Sequence, residues 1–392
     1  MTMNRPKKYL LTLLRAYLDG AAVELAEDED YDGLMTLAKC HNLCPTVFCV
    51  IKNAVNPGVV PTEIYKKLEN SFFDSIFVCA KQTAVYEKIC SILSRGSIQY
   101  LPFKGIVLRE YYPVPEARIM GDIDILISPR DKAKAQKLLI DNGLVLDMPG
   151  GDVQEYICDG VRIELHTKIV SDAIGSHDLG ALFCDASEHA EYDCNGRGKP
   201  EDNYHFAYLI GHIAHHFWFY GAGAKMILDL AVMLKKCDID CQWVIDFLDK
   251  QGLGEFAKVI LTVCYQWFGI GTDYKKDTLQ TQEFLLAYGA FGNMNRNKAA
   301  VVQRKELEQG SGKPDSRLKL LLPPYKKMRR LPYIGFIDGR PYLLPVAWAY
   351  RLIYNLKNRR KFVIDTVSNM GTEITNIEAK KELDYFKKIG LL

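Results

Sequence analysis

The stretch Arg118-Ile119-Met120-Gly121-Asp122-Ile123-Asp124-Ile125-Leu126-Ile127 sets two aspartates one residue apart in an otherwise apolar run. Alternate residues of an extended chain share a face, so Asp122 and Asp124 point one way and Ile123 and Ile125 the other. Carboxylates held side by side repel each other unless a cation lies between them. A hard divalent ion such as magnesium, which takes oxygen ligands, is the natural partner. Such a pair is what metal-dependent phosphoryl or nucleotidyl transfer needs at its centre.

Upstream of the pair, Ile98 to Phe103 reads as a strand, Lys104-Gly105 breaks it, and Ile106 to Tyr112 reads as a short helix. A glycine between strand and helix lets backbone approach a phosphate, and the helix N-terminus offers free N–H groups. Lys104 adds a point charge for a β- or γ-phosphate; the plainer alternative is a turn glycine beside a surface lysine. Pro113 and Pro115 stiffen the loop that leads to Arg118. That arginine either contacts phosphates, pins the loop against the site, or makes a structural salt bridge.

Downstream, Pro129-Arg130-Asp131 opens a helix that runs to Asp141 and closes at Asn142-Gly143. Strands follow at 144–146, 153–158 and 161–169, with the hairpin signal Asp159-Gly160 between the last two. On the last strand Arg162, Glu164 and His166 share a face. If it lies beside the aspartate strand, Glu164 completes a trio of acids able to hold two magnesium ions around a triphosphate. One ion would lower the pKa of an attacking hydroxyl and the other neutralise the leaving pyrophosphate. The alternative for Arg162 and Glu164 is a solvated strand face. His166 is placed to orient Glu164 or accept a proton.

The remainder of the chain frames this unit. At 392 residues it is long enough for two or three structural units, and 48% hydrophobic with 25% charged residues is ordinary for a globular protein. A net charge of +2 argues for neither nucleic acid nor membrane overall. The 11 cysteines lack zinc-site spacing and read as reduced thiols used as small hydrophobes. Neither a signal-peptide core nor an apolar run of about 18 residues is present, so the expectation is a cytoplasmic protein without a transmembrane segment. Residues 1–95 read as an N-terminal helical region, with one long helix near 65–93. Residues 96–195 read as the α/β core, and 196–392 as a C-terminal helical region. Helices are expected at 203–218, 223–236, 241–251, 254–268, 279–290 and 343–358, with a loop at 303–316. The fold class is therefore α+β: a small mixed sheet flanked by helical regions.

Five further features lie outside this unit. His212 and His216 share a helical face, but no glutamate follows His212, so a zinc-protease pattern fails; packing is the plainer reading. Asp229 reads as a helix-end salt bridge, or a partner for an arginine or nucleobase, and the aromatics at 217–220 as helix packing or a base-stacking surface. Finally, 296–361 holds 17 lysines and arginines against four acids. That asymmetry suits a phosphorylated or RNA partner, or a solvated face. Leu343 to Leu356 with its basic end reads as a buried helix, and alternatively as one grazing a membrane surface.

Taken together, Lys104-Gly105, Tyr112-Pro113-x-Pro115, Arg118-x-Met120-Gly121-Asp122-Ile123-Asp124-Ile125-Leu126 and Glu164-Leu165-His166 resemble a bacterial nucleotidyltransferase family of the DNA-polymerase-β-like superfamily. So do His212-x-x-His215-His216, Leu228-Asp229-Leu230, Pro323 and Pro345-x-x-Trp348-x-x-Arg351, so the likeness runs from about residue 30 to 360. The resemblance implies transfer of a nucleoside monophosphate from a nucleoside triphosphate to a hydroxyl acceptor, with magnesium. It makes Asp122, Asp124 and Glu164 the metal-binding catalytic acids and Lys104, Gly105, Arg118 and His166 the nucleotide-binding residues. The superfamily usually carries Gly-Ser on the phosphate turn, where this chain reads Lys104-Gly105-Ile106. ATP is the favoured nucleotide; the acceptor, whether small molecule, RNA or protein, stays open. The competing readings are a catalytically silent protein that kept the fold for binding, and a toxin or tRNA-end transferase acting on RNA.

Overall fold

The computed structural model describes residues 4–148, 151–170, 173–174, 177–219, 221–287, 289, 322–329, 331–358 and 373–392. The chain starts with α1 (Arg5–Asp19), α2 (Tyr31–Cys40) and α3 (Cys44–Ile51). Local chemistry sets their ends. Asn4 accepts a hydrogen bond from the Lys7 N–H at the start of α1, and Gly20 closes it at φ 65°. A 34-residue helix, α4 (Thr62–Arg95), then leads to the sheet.

The sheet is built from β1 (Tyr100–Phe103), β2 (Asp122–Ile127), β3 (Val145–Met148), β4 (Val153–Cys158) and β5 (Val161–His166) in the order β1-β2-β5-β4-β3. Only the central β2–β5 pair is parallel. Two short elements, α5 (Gly105–Leu108) and α6 (Lys132–Asp141), lie before and after β2. The hairpin at Asp159-Gly160 forms with φ 50° and 74°, the two left-handed residues that such a turn needs. Differences from the sequence reading are local. The helix expected to reach Tyr112 is one turn of α-helix followed by a 3-10 turn, Arg109–Tyr111, and β5 stops at His166 rather than 169. After the one-turn helix α7 (Leu179–Leu182) comes a two-stranded sheet, β6 (Ala190–Tyr192) with β7 (Gly198–Pro200), which was not anticipated.

One face of the main sheet is mainly apolar, with buried Gln154 hydrogen-bonded to Gln136 of α6 as a polar exception. Ile123, Ile125, Ile163 and Leu165 pack on Val85, Ile89, Ile92 and Leu93 of α4 and on Ala135 and Leu139 of α6. On the opposite face Phe103 packs on Tyr208 of α8 (Asp202–Phe219), and behind it α9 (Ala224–Lys236), α10 (Cys241–Asp249), α11 (Gly254–Phe268) and α12 (Leu279–Ala287) continue the core. These share one core with α1 to α3, so the two ends of the chain close on each other. A last helix, Glu373–Lys388, adds Tyr385 and Phe386 to that core.

The helix Leu344–Asn358 departs from its buried reading. Ala347 packs on Met328, Ile334 and Ile337, but Val346, Ile353 and Leu356 are exposed. Trp348 donates to the Pro323 carbonyl at 2.8 Å, tying the two proline stretches together. Residues 296–321, 330 and 359–361 of the basic segment, with the loop expected at 303–316, lie outside the described residues. All 11 cysteines are free. Among the described residues no helix is long and apolar enough to cross a membrane.

Candidate active site

The parallel register of β2 and β5 sets Asp122 opposite Arg162, Asp124 opposite Glu164 and Leu126 opposite His166. In-register neighbours share a face, so Asp122, Asp124, Glu164 and His166 all look away from the isoleucine layer toward α8. Arg162, though on this face, leans out to Glu155 instead. His166 Nε2 lies 3.0 Å from Asp124 Oδ1 and 3.2 Å from Glu164 Oε2. Ligand atoms of Asp124, Glu164 and His166 all fall within 4.8 Å of one another, the one metal-like group of this kind among the described residues.

Electrostatics divide the two aspartates. Burial, then Asp124 and Glu164, push Asp122 up to about 6. Burial also opposes ionisation of Asp124, but the Lys104 ammonium and the His166 hydrogen bond outweigh it and hold the group at about 2. His166 is raised in turn: burial works against its charge, and the bonds to Asp124 and Glu164 win. Oxygen donors facing one another, with one carboxylate forced upward by its neighbours, are a donor set that fits a divalent cation.

The Lys104-Gly105 turn sits at the edge of this cluster. Lys104 adopts φ 55° and ψ −126°, a conformation that costs a side-chain-bearing residue about 1–3 kcal/mol. Three contacts hold it there. Its N–H donates to His205 Nε2 at 3.2 Å, its carbonyl accepts from the Leu108 N–H at 2.9 Å, and its ammonium reaches Asp124 Oδ1 at 2.7 Å. The side chain is thus turned onto the carboxylate beside the cleft. Gly105 is needed for close packing: a Cβ there would meet Arg118 Nη1 at 3.0 Å and Met120 Sδ at 3.2 Å.

Arg118 is buried and fully engaged. Nε and Nη2 donate to the two oxygens of Asp229 at 2.8 and 3.0 Å, and Nη1 donates to the Gly105 carbonyl at 3.1 Å. Tyr112 donates to Asp229 as well, at 2.7 Å. Asp229 is therefore no helix-end group; it lies in the middle of α9 and pins the carboxylate loop from below. Burial disfavours its charge, and Arg118 more than compensates, keeping it below the usual carboxylate range. Two more bonds fix the same loop: Thr46 of α3 donates to the Ala117 carbonyl, and Gln82 of α4 to the Met120 carbonyl at 3.0 Å.

A cleft of about 100 Å³ opens above the turn and β2, roofed by α8 and the start of α9. His212 and His216 line it with their Nε2 atoms 3.2 Å apart. Burial pulls both well below the ordinary histidine value, His216 to about 4, so they are neutral at pH 7. Neither belongs to the metal-like cluster. Lys225, in the first turn of α9, also lines the cleft. Burial, and then Arg118, bring its ammonium down to about 8 despite Asp229 and Asp122. Sequence reading passed over Lys225 and His205. Lys225 left one local signal: a cation at a helix N-terminus opposes the macrodipole and so asks for a reason.

The structure thus brings Asp124, Glu164 and His166 into one tight cluster with Lys104 on Asp124. Asp122 shares their face and lines the cleft but lies outside that cluster, and Gly105 and Arg118 line the cleft as well. No curated protein and no solved structure matches the chain. A family model does, over residues 27–269, which takes in the sheet, the cleft and α8 to α11 and stops short of the Pro323 and Pro345 stretches. The chain belongs to that family, described as an uncharacterised nucleotidyltransferase.

Proposed function

We propose that this protein transfers a nucleoside monophosphate from a nucleoside triphosphate, ATP foremost, to a hydroxyl acceptor and releases pyrophosphate. The observation that carries the reading is the β2–β5 register, which sets three acids from two strands on one face beside an open cleft. Asp122, Asp124 and Glu164 would hold Mg²⁺. When bound, the metal neutralises triphosphate charge and lowers the pKa of the acceptor hydroxyl. His166 holds Asp124 and Glu164 in register through one nitrogen.

The chain's other residues bind and position. The Lys104-Gly105 turn and the first turn of α9, with Lys225, give the cleft a cationic, amide-bearing wall suited to phosphates. Arg118 fixes the height of the carboxylate loop through Asp229. The cleft of about 100 Å³ takes phosphate groups; base and ribose extend past its mouth. Catalysis then comes from alignment and charge compensation.

The test is incubation with each α-labelled nucleoside triphosphate, Mg²⁺ and cell extract. Label is expected to move onto a metabolite, RNA or protein with wild type and to stay put with Asp122→Asn or Asp124→Asn. Absence of both labelling and pyrophosphate release with every nucleotide would sink the proposal in favour of a fold retained for binding. Label on RNA, with affinity falling steeply as salt rises, would place the acceptor among nucleic acids.

A further inference from the structure

A carboxylate that bridges two cations gives one oxygen to each. On Asp124 one of those oxygens is taken: Oδ1 receives the Lys104 ammonium at 2.7 Å and His166 Nε2 at 3.0 Å. Asp124 is 2% exposed and the Lys104 side chain 20%, so the pair is largely shielded from solvent. Nor is the lysine there by default. Its backbone sits in a region that favours glycine, held by His205 on one side and Leu108 on the other. A residue kept in an unfavourable conformation by surrounding contacts points to a use for its side chain. That use is to deliver a charge to Asp124.

We propose that Lys104 is a tethered monovalent cation occupying one of the two cation positions on Asp124, so that Asp122, Asp124 and Glu164 would hold a single divalent ion. This rests on the nucleotidyltransferase reading and refines the expectation of two magnesium ions. A fixed ammonium supplies positive charge at an unchanging distance, with no dependence on metal concentration. His166 completes the arrangement by bonding both Asp124 and Glu164.

The test counts bound Mn²⁺ by the loss of the free-ion electron paramagnetic resonance signal, with full-length protein saturated by α,β-methylene-ATP. Wild type is expected to hold one Mn²⁺ per chain and Lys104→Gly two. Glycine suits the backbone at this position, so that variant is expected to fold, which circular dichroism checks. Lys104→Met, which keeps the chain's bulk without its charge, is expected to behave as Lys104→Gly does. Two ions on wild type, or one on both variants, overturns the role of Lys104 while leaving the metal-nucleotide reading intact. No Mn²⁺ and no analogue bound to wild type overturns both.

Discussion

Two buried charge clusters share one loop and are built on opposite principles. Around Arg118, each guanidinium nitrogen has an acceptor: Asp229 takes two of them and the Gly105 carbonyl the third, while Tyr112 satisfies Asp229 further. Four residues later, three carboxylates face two cationic groups, and Asp122 is pushed up to about 6 by burial and by its neighbours. A saturated cluster has nothing to offer a ligand and acts as an anchor. An unbalanced one is a liability to the fold unless something positive joins it. Proximity in sequence therefore says little about role; the balance of donors and acceptors separates scaffold from site.

Breaking the anchor gives the largest expected effect. Removing one partner of a buried pair strands a charge, so Arg118→Met or Asp229→Asn is expected to cost about 3–5 kcal/mol in urea denaturation. The double variant should cost less than the sum of the two, because no lone charge remains. The unbalanced cluster should respond the other way. In metal-free protein at pH 7.5, Asp122→Asn is expected to stabilise the fold by about 1–3 kcal/mol. The sign follows from the raised pKa: the folded state disfavours ionised Asp122, so stability is lost as pH rises from the unfolded value toward 6. Excess Mn²⁺ should reverse the ranking in thermal melts. A melt in which both variants destabilise equally would erase the distinction between the two clusters.

The same shift predicts a pH profile. Divalent binding needs ionised Asp122, so Mn²⁺ affinity measured by calorimetry should climb about tenfold per pH unit below 6 and level off above it. The smallest effect is expected at Lys225. If it contacts phosphate, Lys225→Met should raise KM for the nucleotide by about tenfold, roughly 1.4 kcal/mol, with kcat little changed. An unchanged KM would remove Lys225 from the phosphate wall.

Much of this was legible in the chain. Alternation around Asp122 and Asp124 gives their common face, and Asp159-Gly160 gives the hairpin that delivers Glu164. Neither feature needs distant information, because period-two alternation and a two-residue turn are local properties. The Arg118–Asp229 pair joins residues 111 apart, and nothing in either neighbourhood names the other; the sequence offered three roles for Arg118, and tertiary packing chose among them. Lys104 shows a subtler limit. Its position beside a glycine suggested a phosphate contact, but the left-handed backbone that turns it onto Asp124 depends on His205, brought in by α8. For Leu344–Asn358 the sequence favours a buried helix over a surface-lying one, and the exposed Val346, Ile353 and Leu356 depart from that reading, since an apolar pattern reports that a face exists and not whether anything covers it.

The carboxylate loop is stitched to α3 by Thr46, to α4 by Gln82 and to α9 by Asp229. Anyone trimming the protein to a minimal piece should take those stitches as the cutting guide. A fragment that ends after β7 would retain every acid of the trio and lose the far thread of the seam, and because α8 to α11 share one core with α1 to α3, a useful fragment has to keep both ends.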